Sequence, residues 1–212
     1  MQEKYREGGH TTATLSDLLS QKHVKMLRDE SAISEEIIAS RGYYTETDPK
    51  GLAEIGFDKK QQKLVPALVI PIRDITGEVV LHRIRPDEPR PNLRKPVKVN
   101  KYEAPTGSKN VLDFPLWSAA QLDPDPNVHY TIWFVEGEKK ADAMVSQGLI
   151  TIGLLGVWSW KRDKMPLPDF DRIPLIGKNV NVLFDSDAET NVGINLALHT
   201  LANYLKVRTS GA

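Results

Sequence analysis

Glu136 and the pair Asp185 and Asp187 each follow a short apolar run, Ile132-Trp133-Phe134-Val135 in one case and Val180-Asn181-Val182-Leu183-Phe184 in the other. Continuous runs of this kind read as strands covered on both faces, as in a parallel sheet. Ligands of open parallel sheets gather just outside the carboxyl ends of the strands, where these three acids fall. Gly137, directly after Glu136, lets the backbone turn tightly there. Three carboxylates at one such edge would repel one another unless a positive charge intervenes, and a divalent cation is the usual answer. Oxygen-only donors completed by waters and a substrate phosphate select Mg²⁺, or Mn²⁺, over zinc. Such an ion orients the phosphate and stabilises a leaving oxyanion. An Asp-x-Asp after a strand also serves as a simple turn or helix cap, and Glu-Gly alone says less still. The metal reading gains from the order of features: strand, Glu136-Gly137, helix, two further strands, then Asp185-Ser186-Asp187 leading into a helix.

The elements that must position these acids follow from periodicity. Ala141, Met144 and Val145 fall at helical spacing before Gly148, and the apolar stretch from Ile150 to Leu155 reads as a buried strand. Ile194, Ala197, Leu198, Leu201 and Leu205 line one face of a last helix. Alternating strands and helices predict an α/β domain over 126–212 with a mostly parallel sheet flanked by helices. A smaller α+β region is expected before it, over 28–125, after a tail and helix over 1–27. One helix is predicted from Leu15 to Leu27. A second starts with Ser34 as N-cap, carries Glu35 and Glu36 in its first turn and Arg41 in its last, and stops at Gly42. Leu68-Val69-Ile70 and Val79-Val80-Leu81 form a predicted hairpin around Asp74-Ile75-Thr76-Gly77, with Pro71 expected at an edge or strand end.

Lys plus Arg and Asp plus Glu both number 28 in 212 residues, so the net charge is zero and any nucleic-acid surface must be local. The one basic stretch, Arg83 to Lys109, includes Arg83, Arg85, Lys98 and Lys101. Its prolines (Pro86, Pro89, Pro91, Pro96, Pro105) predict an extended, irregular connection with solvent-facing side chains. It reads either as a solvated loop or as a groove that contacts phosphates. Lys139 and Lys140 sit at a helix start, where a phosphate would also meet free backbone N–H groups, or they are ordinary solvated lysines. The absence of cysteine excludes disulfides, thiolate zinc sites and cysteine nucleophiles. No apolar stretch approaches the roughly 18 to 20 residues of a membrane span, and the polar N-terminus is not signal-like, so a cytoplasmic protein without a membrane partner is expected. Neither a Gly-x-x-x-x-Gly-Lys-Ser/Thr loop nor a Gly-x-Ser-x-Gly or His-Glu-x-x-His signature is present. Trp117, Trp158 and Trp160 are candidates for stacking on unpaired bases, with buried packing the expectation for each. His82 and His129 are expected to be structural.

Phe134-Val135-Glu136-Gly137-Glu138-Lys139-Lys140-Ala141-Asp142-Ala143 resembles the glutamate motif of Toprim domains, and Leu183-Phe184-Asp185-Ser186-Asp187 resembles their Asp-x-Asp motif. Toprim domains occur in bacterial and phage primases, topoisomerases and certain nucleases. Together with Ile70-Pro71-Ile72, Arg83-Ile84-Arg85-Pro86-Asp87, Lys101-Tyr102-Glu103-Ala104-Pro105 and Gly156-Val157-Trp158, the chain from about Leu27 is similar to a primase-like, Toprim-containing family of plasmids, phages and other mobile elements. The resemblance implies a Mg²⁺-dependent nucleotidyltransferase that joins nucleotides on single-stranded DNA during replication. Glu136 would then be general acid/base or metal ligand, Asp185 and Asp187 would hold Mg²⁺, and Glu189 would assist. The basic stretch would guide the strand, and a replicative helicase would be a fused or separate partner. Two departures stand out. Many primase motifs carry Asp where this chain has Lys140, with Asp142 two residues on, and the family's sheet gains a strand after the last helix, where this sequence ends, so a C-terminal truncation is expected. The cysteine-bearing zinc module of bacterial primases has no counterpart here. A nuclease on the same metal site, a non-catalytic module for DNA binding or replication recruitment, and an unrelated α/β domain with Asp185 and Asp187 as helix caps are the alternatives.

Overall fold

The computed structural model describes residues 14–92, 95–185 and 191–211, with the backbone alone at 95–98. The predicted first helix is broken in two, α1 (Leu15–Leu18) and α2 (Gln21–Val24), followed by a π-helical turn at Lys25–Asp29. Leu19 is extended, and Ser20 restarts the helix as N-cap: its hydroxyl accepts from the His23 N–H at 3.3 Å while its own N–H donates to Thr45 Oγ1 at 2.8 Å. Apolar periodicity continues across that break because Leu19 and Leu27 enter the same core, so spacing alone hides it. The next helix, α3 (Glu35–Arg41), is as predicted, with the Ser34 hydroxyl accepting from the Ile37 N–H and Gly42 in the left-handed region at φ 79°.

β1 (Tyr44–Glu46), α4 (Pro49–Glu54), β2 (Ala67–Arg73) and β3 (Val79–Pro86) follow, and the three strands form an antiparallel sheet in the order β1-β2-β3. The predicted hairpin is β2–β3. Pro71, however, lies in the middle of the central strand. It is tolerated because β1 reaches only as far as Val69, and the Pro71 carbonyl, on the side where its N–H is missing, accepts from Arg41 at 3.3 Å. The basic stretch is not one irregular connection either. Its first cations lie on β3, and β4 (Pro91–Asn92) pairs with β5 (Lys95–Val99) in a short hairpin. Arg90 is held at 2.6 Å by Glu103, which is tied to β3 through the Ile84–Glu103 bridge. Prolines forbid ladder donors at single positions but leave edge pairing open, which is how this segment acquires strands.

The rest of the described chain is β6 (Leu112–Asp113), α5 (Leu116–Ala120), β7 (Thr131–Glu136), α6 (Glu138–Val145), β8 (Ile150–Leu154), β9 (Lys161–Arg162), β10 (Met165–Pro166), β11 (Asn179–Leu183) and α7 (Val192–Ser210). Four of these strands make a sheet in the order β11-β7-β8-β6, parallel except for the short antiparallel edge β6. The architecture is therefore mixed α/β, a mostly parallel sheet flanked by helices and preceded by an α+β region. β7 and β8 are central, and their apolar runs fill the core with Ile132, Phe134, Ile152 and Leu154. Removing a ring such as that of Phe134, with no exposed surface, would cost roughly 3–5 kcal/mol. β11, expected to be buried, is an edge strand with Asn179, Asn181 and Leu183 exposed and Val180 and Val182 turned inward. Ala197, Leu201 and Leu205 seat α7 on this core. Among the described residues no helix is long and apolar enough to cross a membrane.

Candidate functional site

Parallel pairing of Phe134 with Val182 and Val135 with Leu183 brings the carboxyl ends of β7 and β11 level. Glu136 closes β7, and Asp185 lies two residues beyond β11, so the two acids sit on neighbouring strands at one end of the sheet. Both line a cleft of about 640 Å³. Gly137, at φ 96° and ψ 139°, turns the chain from β7 into α6 in a conformation that an L side chain rarely adopts, although nothing would crowd a Cβ there.

The same cleft is also lined by cations. Residues two apart on a strand share a face, so Arg83 and Arg85 of β3 both line the cleft while Ile84 between them is buried. Tyr102 lies beside both guanidinium groups, with ring-centre distances of 5.1 Å to Arg83 and 5.4 Å to Arg85, and its hydroxyl accepts from Arg85 at 3.0 Å. Arg83 also pairs with Glu138 and donates to the Leu155 carbonyl at 3.3 Å. Glu138, buried at the first position of α6, stands where the helix N-terminus favours an acid. Lys101, Lys139 and Lys140 also line the cleft, as does the acid Glu30. Lys139 donates to Ser31 Oγ at 2.9 Å; burial, helped by the charge of Arg85, lowers its pKa to about 8. Lys140, on the rim, forms an ion pair with Asp185.

Glu136, Asp185, Arg83, Arg85, Lys101, Lys139 and Lys140 thus share one cleft. Asp187, Glu189 and the side chain of Lys98 lie outside the described residues. Among the described residues no group of three or more His, Cys, Asp or Glu side chains is placed to hold a metal ion. The pair Glu136 and Asp185 nonetheless fits a hard cation in donor chemistry, being oxygen-only and reachable from solvent.

Sequence reasoning missed the network beneath α6. Asp142, one turn after Glu138, is fully buried and accepts from Arg41 Nε at 2.9 Å, Arg41 Nη2 at 2.5 Å and the Tyr43 hydroxyl at 2.5 Å. Arg41 also pairs with the buried Asp113 of β6. Burial raises the Asp113 pKa to about 6, against the opposing pull of Arg41, and its Oδ2 has no hydrogen-bond partner among the described residues. Gly153 of β8 leaves room for that carboxylate, since a Cβ would lie 2.9 Å from Asp113 Oδ2. The sequence signal was Asp142 on the apolar side of α6 between Ala141 and Val145, with Arg41 as the only visible hint of a counter-ion.

A family model described as a domain of unknown function, DUF3854, matches residues 125–211. A sequence comparison with curated proteins finds no match. Among solved structures, the fold is similar to that of the Aquifex aeolicus primase (zinc-binding and RNA polymerase domains), with a TM-score of 0.59 and 13% identity over 88% of this chain and 47% of that one. It is likewise similar to a DnaG primase catalytic domain bound to single-stranded DNA, with a TM-score of 0.52 and 16% identity over 84% of this chain and 57% of that one. The chain therefore spans about half the length of the primase structures it matches, and what it shares with them is the fold of the primase catalytic core.

Proposed function

We propose that the chain is a Mg²⁺-dependent, primase-like nucleotidyltransferase of the Toprim type, acting on single-stranded DNA in the replication of a mobile genetic element. The observation that carries this reading is the shared cleft, lined by Glu136 and Asp185 at the ends of β7 and β11 together with Arg83, Arg85, Lys101 and Lys139. Glu136, Asp185 and Asp187 would hold the ion, which when bound supplies charge neutralisation of phosphate oxygens and of the leaving group. Arg85, Lys101 and Lys139 supply positive charge for the phosphates of the strand and the incoming nucleotide, while Arg83 holds the wall through Glu138. Glu136, half-buried in the cleft lining, is the group that would take or return the proton of the attacking hydroxyl. The similarity of fold to primase catalytic cores supports this choice over other phosphate chemistries. A replicative helicase, fused or separate, is the partner proposed, and the cytoplasm the compartment.

One observation favours a second reading, binding without turnover: the Lys140 ammonium already neutralises Asp185. Incubation of the chain with labelled single-stranded DNA, ribonucleotides and Mg²⁺ separates the possibilities. Products longer than the input support the nucleotidyltransferase, shorter ones a nuclease, and binding that survives both chelation and Glu136→Gln without any turnover supports the module.

A further inference from the structure

The geometry points to a second contact surface for single-stranded nucleic acid, an aromatic and basic platform formed by Trp158 and the β9–β10 hairpin. It rests on the proposal that the chain handles single strands, and extends it beyond the cleft. β8 delivers the chain to this surface from the same sheet end as Glu136: Leu155, just past β8, lines the cleft, and Trp158 follows three residues later. Of the three tryptophans considered for stacking, Trp160 is 3% exposed and Trp117 half-buried, whereas Trp158 is 36% exposed.

Trp158 is not a stray apolar side chain. The Lys161 ammonium lies 4.1 Å from the Trp158 ring centre and 5.1 Å from that of Trp160. Trp160 in turn stacks on Tyr204 at 5.6 Å and meets Phe170 edge-on at 6.4 Å, and Phe170 stacks on the core ring Phe134 at 5.7 Å. The Lys161 ammonium therefore bridges the exposed indole to Trp160, the outer ring of an aromatic ladder rooted in the sheet, and this contact limits the ordering entropy lost when the indole meets a ligand.

The hairpin adds charge. Lys161, Arg162 and Lys164 stand against Asp163, and none of the three cations forms an ion pair among the described residues. Asp163 and Lys164 form the turn with φ of 51° and 69°, where Gly or Asn is the ordinary choice. A lysine held in the left-handed region at an exposed tip sacrifices local stability and places a cation in return. A fixed aromatic face with a cluster of cations beside it is the chemistry that grips an unpaired base and its phosphates, without sequence preference. A duplex keeps its base faces covered and cannot use the indole.

The test is fluorescence anisotropy of labelled oligo-dT and oligo-U, with a duplex of equal length as control, in the absence of metal and nucleotides. Trp158→Ala is expected to weaken binding of both single strands by about tenfold, with Trp158→Phe retaining most of it and duplex binding unchanged. Lys164→Gly is expected to raise Tm while reducing the salt slope of single-strand binding by roughly 0.7. Equal affinity of wild type and Trp158→Ala for both strands would overturn the platform and leave the cleft chemistry standing. Normal Trp158-dependent binding with no primer extension would do the reverse. Equal losses for duplex and single strands would show charge alone at work and also overturn it.

Discussion

Arg41 reaches Asp142, 101 residues away, through Nε at 2.9 and 3.2 Å and Nη2 at 2.5 Å, and both side chains are buried. The same guanidinium serves Asp113, so one cation balances two buried carboxylates drawn from β6 and α6. Charges withdrawn from water are tolerated only while paired, and removing one partner costs far more than the pair contributes. Arg41→Met should lower the unfolding free energy by about 3–5 kcal/mol. Urea denaturation with an unchanged m-value is the measurement. A loss under about 1 kcal/mol, the scale of a surface pair, would show that the network does not brace α6 as described.

The surplus negative charge of that network gives stability a pH dependence. Burial raises the folded pKa of Asp113 to about 6 from the ordinary 3.8. Between those values the native state keeps a proton that the unfolded state has released, so this contribution is fully present below the unfolded pKa and is lost as pH rises through the folded one. Asp113→Asn preserves shape and removes the titration. Its stability should therefore fall less than that of wild type as pH rises from about 4 to about 7. Parallel urea-midpoint curves for the two proteins across that window would exclude Asp113 as the source.

Lys139 predicts a second titration, in ligand binding. Burial, reinforced by the charge of Arg85, lowers its pKa to about 8, so the group is cationic below that pH and becomes neutral above it. Affinity for an anionic ligand in the cleft should drop as pH rises through about 8 in the wild type and stay flat in Lys139→Arg. Calorimetric titration with inorganic triphosphate at constant ionic strength on both sides of that pH checks it. The linked stability term has the opposite trend. The unfolded lysine keeps its proton up to about 10.5, so folding stability rises with pH between the two values.

How far these features were visible in the sequence follows from where each side chain's partners lie. β7 and β8 were legible because central parallel strands are written as continuous apolar runs, α6 because its apolar residues recur at helical spacing, and Glu136 and Asp185 because parallel strands present their ends together. The break at Leu19 was not, since it is fixed by the contact between Ser20 and Thr45 on β1, 25 residues away. Arg41 passed for an ordinary last-turn cation, and Asp142 was given no role, because their pairing exists only once α3, β6 and α6 converge. The strands within the basic stretch were hidden by prolines that edge pairing tolerates. His23, buried and bonded to Thr45 at 2.7 Å and Asp87 at 2.9 Å, carried no local signal at all.

The Lys140–Asp185 pair supplies the sharpest prediction about the proposed metal. An ammonium and a divalent cation compete for the same carboxylate, so removing the ammonium should help the metal, whereas removing the carboxylate should harm it. Lys140→Ala is therefore expected to tighten Mn²⁺ binding, and Asp185→Asn to weaken it, when free Mn²⁺ is counted by electron paramagnetic resonance. Glu136→Gln should lower primer extension roughly 10²- to 10⁴-fold, as for loss of a positioned acid/base. The opposite ordering of the two Mn²⁺ effects would place the ion away from Asp185. If wild type and the double variant Glu136→Gln, Asp185→Asn bound Mn²⁺ equally, the metal-dependent reading of the cleft would fall with it.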